Sequence, residues 1–156
     1  MKNLVLCLAL VLVAPIAAAN QNVFLQSVKR PIGPTFRHVV AALRHSGFKV
    51  VARINVGKKL AMAAKRFHWK RYNENHLKGI RSVVFCNGKF ANAIGNTDPS
   101  MLVVCPLHLT LIQQGDFTQV EFVKPAVIVR GTRAEASVLK LQEKIIAAVR
   151  TGLSAP

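Results

Sequence analysis

The sequence predicts an α+β domain: an antiparallel sheet with helices packed on one face, in β-α-β(n)-α order. Apolar residues recur at helical spacing in two segments and alternate in others, so both element types are present. A Gln114-Gly115-Asp116 turn between two β-rich runs forces those neighbours to run oppositely. About 51% of the 156 residues are apolar and only 18% charged, enough to close one core, and there is no repeat or low-complexity tract.

Residues 1–19 are set apart from this domain. Met1-Lys2 gives a cationic start, Leu4 to Ile16 an apolar run, and Ala17-Ala18-Ala19 the small residues that precede cleavage before Asn20. The expectation is an export signal at 1–19 and a single domain over 20–156, in the periplasm or secreted. An uncleaved anchor is the alternative; Pro15 and the short run favour removal. Cys7 leaves with the signal. No later run approaches the roughly 20 apolar residues that a membrane-crossing helix needs.

Val23 to Arg30 is β-rich and stops at Pro31. After a Gly33-Pro34 turn, Thr35 is placed to cap a helix whose inner stripe is Phe36, Val39, Val40 and Leu43, ending at Gly47. Alternation follows from Phe48 through Val50, Ala52 and Ile54 to Val56. Lys58 to Phe67 reads as a short helix with Leu60, Ala64 and Phe67 inward. Ile80 to Cys86 is a strand, Gly88 to Gly95 a short helix, Leu102 to Gln113 the longest strand, and Phe117 to Val123 its hairpin partner. Thr132 and Glu135 have the spacing of a capping box, opening a helix with the stripe Val138, Leu141, Ile145 and Val149 that ends near Gly152.

Removing the leader leaves 21 cations (22 less Lys2) against 6 anions, and the two thiols Cys86 and Cys105. Export places the thiols in an oxidising compartment and makes cytosolic nucleic acid an improbable partner despite the charge. If their strands pair antiparallel, the end of one meets the beginning of the other, within disulfide reach; parallel neighbours separate them. Alternation turns Cys105 toward the core. A buried or disulfide-bonded structural role and a redox or sulfur-carrying pair both stay open. A metal site is disfavoured, because neither Cys-x-x-Cys nor Cys-x-x-Cys-His occurs. Asn87, Lys89 and His108 flank these thiols and are the candidate ligand-binding residues, Lys89 being the one cation near Cys86 able to activate it.

Thr35-Phe36, Gly47-Phe48-Lys49-Val50, Phe85-Cys86-Asn87, Asp98-Pro99 and Cys105-Pro106-Leu107 occur in an order that resembles the bacterial domain of unknown function family 302. The likeness spans roughly Val28 to Val149. It implies a compact fold with a curved antiparallel sheet backed by helices, a homodimer, and no established reaction. Many members carry Pro before Cys where this chain has Cys105 before Pro106, which moves the thiol to the opposite strand face. The basic segment Lys58 to Lys78 is also longer than the resemblance implies.

That segment holds Lys58, Lys59, Lys65, Arg66, Lys70, Arg71 and Lys78 against Glu74 alone, interleaved with Phe67, His68, Trp69, Tyr72 and His76. Cations hold phosphates while rings stack or enter a lipid interface, so anionic lipid or an envelope polymer is the expected partner. A solvated face whose rings cap the core, single-stranded nucleic acid and an acidic protein are the alternatives. No Ser-His-Asp set or phosphate-cradling glycine loop is present, and the six carboxylates are scattered. The expectation is a binding module with no catalytic residues, no metal and no cofactor; the alternative is a thiol redox or sulfur-handling protein.

Overall fold

The computed structural model describes residues 21–156, so the expected leader, with Cys7, lies outside the described residues. The chain runs β1 (Val23–Lys29), α1 (Ile32–His45), β2 (Lys49–Ile54), α2 (Val56–Arg66), β3 (Gly79–Cys86), α3 (Gly88–Thr97), a 3-10 turn (Pro99–Val104), β4 (Leu107–Gln114), β5 (Phe117–Val123) and α4 (Glu135–Ser154). The five strands form one sheet in the order β1-β5-β4-β3-β2, with every neighbouring pair antiparallel. Because β1 and β2 are the two edges, α1 must cross the whole sheet to join them. The fold class read from the sequence is the observed one.

Alternation sorts the strands into two faces. Phe24, Val83, Phe85, Leu109, Leu111 and Val120 point inward and meet Val39, Leu43, Ile145 and Val149 of α1 and α4 in one core. The opposite face carries Leu25, His108, Phe117 and Val123, all exposed. At the α1–α4 crossing, a Cβ on Gly152 would lie 2.7 Å from Val39 Cα, so only glycine lets the two backbones approach this closely. Gly115, at φ +57, supplies the positive φ that the first central residue of a tight hairpin needs.

Several local expectations are corrected. Helix α1 begins at Ile32, with Pro34 inside its first turn, where a missing amide breaks no helical hydrogen bond. Pro31 is the N-cap, and Thr35 does not cap: its hydroxyl donates to Pro31 O at 2.9 Å. A bulge at Val51 interrupts β2, so Val50 faces inward opposite Phe85, whereas Ala52 and Ile54 fall on the other face. The run expected as one strand from Leu102 is broken by the Cys105-Pro106 bond, which is cis; Leu102 to Val104 belong to the 3-10 turn and β4 starts at Leu107. The capping box does not form. Glu135 instead accepts from Gly131 N at 2.8 Å, and the Thr132 hydroxyl donates to Val129 O at 2.7 Å.

Candidate functional site

The connection from β2 to β3 is built residue by residue from its polar ends. Asn55 caps α2 by accepting from Lys58 N at 3.0 Å, and Ala, Lys, Leu and Met then sustain the helix as far as Arg66. Of the inner stripe expected here, only Ala64 is buried. Leu60 and Phe67 are exposed, because α2 lies beside the start of β3 at the rim of the sheet, away from the main core. The amphipathic pattern is real, but most of its apolar face has no protein opposite it.

Residues 67–78 form a tied loop. Trp69 N donates to Ala64 O at 3.1 Å, and the Asn73 side chain takes both the amide and the carbonyl of Leu77, at 2.8 and 3.1 Å. Lys78 N donates to Gln113 O, and the Gln114 amide to Asn75 O, fastening the loop to β4. His68, Asn73 and His76 all adopt left-handed backbone, with φ near +50. Histidine and asparagine tolerate that region better than most residues, but non-glycine residues there cost free energy and such positions concentrate at ligand sites.

The site is electrostatically one-sided. Arg71 forms a two-point ion pair with Glu74 at 2.5 Å, which holds the Glu74 carboxyl below its ordinary range and raises the guanidinium. Lys78 lies 3.9 Å from Asp116. Lys58, Lys59, Lys65, Arg66 and Lys70 have no ion-pair partner among the described residues. Beside them stand Met62, 64% exposed, Phe67, 61% exposed, and Trp69, 46% exposed, with the Arg66 guanidinium 5.5 Å from the Phe67 ring centre.

The thiol neighbourhood is organised differently. Antiparallel pairing of β3 with β4 brings the end of one to the start of the other, and Cys86 is bonded to Cys105 with the Cα atoms 6.2 Å apart. Cys105 precedes its strand and is half-buried. Asn87 is fully occupied: its carbonyl caps α3 by accepting from Phe90 N at 3.2 Å, and its amide donates to Gly47 O at 2.9 Å. Lys89 is exposed in the first turn of α3. His108 is exposed beside a hollow of about 150 Å³ walled by Val103, Pro106, Val123 and Ile128. Of the three, Asn87 is buried and engaged by the backbone, whereas Lys89 and His108 are exposed. Among the described residues no group of three or more His, Cys, Asp or Glu side chains is placed to hold a metal.

Between α2, the 67–78 loop and the start of β3 lies a groove that sequence reasoning did not reveal. It is lined by Asn55, Lys58, Trp69, Tyr72, Lys78 and Arg81 together with Gly57, Gly79, Ile32 and Ile80. Ile32 comes from α1, so no local pattern points to it. The nearest signal is the cap spacing Asn55 to Lys58 with Gly57 inside it.

Fold and surface together define an α+β module with a cationic, ring-bearing connection and no assigned ligand. The chain belongs to the family described as Domain of unknown function DUF302, which matches residues 25–152. A crystal structure of an uncharacterized conserved DUF302 protein from Bacillus stearothermophilus shares the fold, with a TM-score of 0.73 at 16% identity, covering 85% of this chain and 98% of that one. Among curated proteins none matches. The likeness first seen in short motifs between Val28 and Val149 is family membership.

Proposed function

We propose that this protein is an exported binding module that docks on anionic envelope surfaces through the connection from α2 to β3. The observation that carries the reading is the exposed triad Met62, Phe67 and Trp69 set among five cations without acidic partners. Cations near an anionic leaflet contribute about 1 kcal/mol each, and apolar side chains entering the interface add to that. An anionic polymer offers the charge without the apolar interior.

Co-sedimentation of the purified protein with vesicles tests this. Phosphatidylglycerol vesicles should retain it and phosphatidylcholine vesicles should not, and added salt should release it. The triple variant Lys65→Gln, Arg66→Gln, Lys70→Gln should lose on the order of 100-fold in partitioning. Equal retention on both vesicle types would remove the electrostatic basis of the proposal.

A second reading, sulfur or redox handling, draws support from Cys86 lying directly before the α3 N-cap, where exposed helix amides favour a thiolate. In it, a dithiol reductant gives two electrons and two protons to the Cys86–Cys105 bond, leaving two protein thiols and an oxidised reductant. For a homodimer, the open sheet face offers Leu25, Phe117 and Val123, each about half exposed. Native mass measurement on protein from its host envelope reads all three points: a chain starting at Asn20, twice the monomer mass, and free thiols if the redox reading holds. A full-length monomer with a permanent disulfide would sink them together.

A further inference from the structure

The groove beneath the docking ridge has a chemistry of its own. It encloses about 640 Å³, within the usual range for small-molecule sites. Its floor is apolar and closely backed. A Cβ on Gly57 would stand 3.1 Å from Ile80 N, and one on Gly79 would stand 3.1 Å from Ile32 Cγ2, so both glycines let the neighbouring elements meet closely where they line the groove. Trp69 and Tyr72 supply two rings to the lining.

The charge on the walls is unbalanced. Lys58, Arg71, Lys78 and Arg81 line the groove with Glu74 as the single acid, and Glu74 is already held by Arg71. Lys58 and Arg81 have no acidic partner among the described residues. Arg81 is half-buried, with its guanidinium 5.6 Å from the Phe36 ring centre, so it is positioned by an aromatic face and its donors remain available. A guanidinium fork and an ammonium over an apolar floor favour a ligand that is anionic at one end and flat and apolar at the other.

We propose that this groove is a binding site for small organic anions: a planar ring body against Trp69 and Tyr72, with its sulfonate, carboxylate or phosphate toward Lys58 and Arg81. The inference goes beyond surface docking and does not depend on it. Lys58 and Trp69 are shared with the docking surface, whereas Met62, Lys65, Arg66, Phe67 and Lys70 of that surface lie outside the groove lining.

The test is a lipid-free titration of the purified protein with anilinonaphthalene sulfonate and, separately, with phenylnaphthylamine, which keeps the rings and lacks the anion. The sulfonate should saturate at one equivalent per chain and bind at least about 10-fold more tightly than the neutral dye, as expected when a charge-assisted hydrogen bond is added. Arg81→Gln should collapse that ratio toward unity. Lys58→Gln, at an exposed helix position, should reduce it as well and covers the case in which the Arg81 variant fails to fold. Equal affinity for the two dyes, no saturable binding of the sulfonate, or a ratio unchanged in a folded Lys58→Gln variant would overturn the assignment. Since no lipid is present, either result leaves the vesicle experiment to be judged on its own terms.

Discussion

Phe85→Ala is expected to lower the unfolding free energy by about 3–5 kcal/mol, the largest effect of any single substitution considered for this fold. Phe85 is wholly buried, and its ring meets Phe48 edge-on at 5.4 Å. It sits opposite Val50 on β2 and Leu107 on β4, so three strands close around it. Truncation removes the transfer energy of the ring and leaves a cavity that sheet hydrogen bonding on both sides prevents from collapsing. Urea unfolding should show a lower midpoint with an unchanged slope. Leu139, 40% exposed on α4, is the internal contrast: its alanine variant should stay within about 1 kcal/mol of the parent.

Breaking the Cys86–Cys105 bond should cost about 3 kcal/mol, since the two positions lie 19 apart in the sequence and closing a loop of that size removes a corresponding amount of denatured-chain entropy. The loop contains α3 and the 3-10 turn, so the bond restrains two elements that otherwise reach the core chiefly through Ile94 and Val104. Denaturation with and without a reductant measures it, and the double variant Cys86→Ser, Cys105→Ser should match the reduced protein. Identical midpoints in all three states would mean that the bond contributes nothing to the folded state. The effect also bears on the site, because β3 carries the disulfide at its Cys86 end and the groove at its Gly79 end.

Long, strongly periodic segments could be read from sequence because one physical signal decides them. The Val138, Leu141, Ile145 and Val149 stripe lies buried on α4, and Gly115 turns the β4–β5 hairpin. What escaped reading depends on competition between local and distant contacts. Val51 is as β-prone as its neighbours, and only its pairing with β3 shows that it is the bulged residue. Thr132 and Glu135 have capping spacing, yet the turn at Gly131 offers their side chains nearer backbone partners. Apolar continuity from Leu102 onward concealed the break before Leu107. The cationic segment is contiguous in the sequence, whereas the groove also needs Ile32 from α1.

Trp69 is the one tryptophan in the chain and stands on the proposed docking surface, so its emission reports directly on the central claim. Adding phosphatidylglycerol vesicles should shift that emission to shorter wavelength as the ring leaves water. Phosphatidylcholine vesicles should leave it in place, and a soluble polyanion such as dextran sulfate should bind without moving it. A spectrum indifferent to anionic vesicles at low salt would contradict docking through this connection.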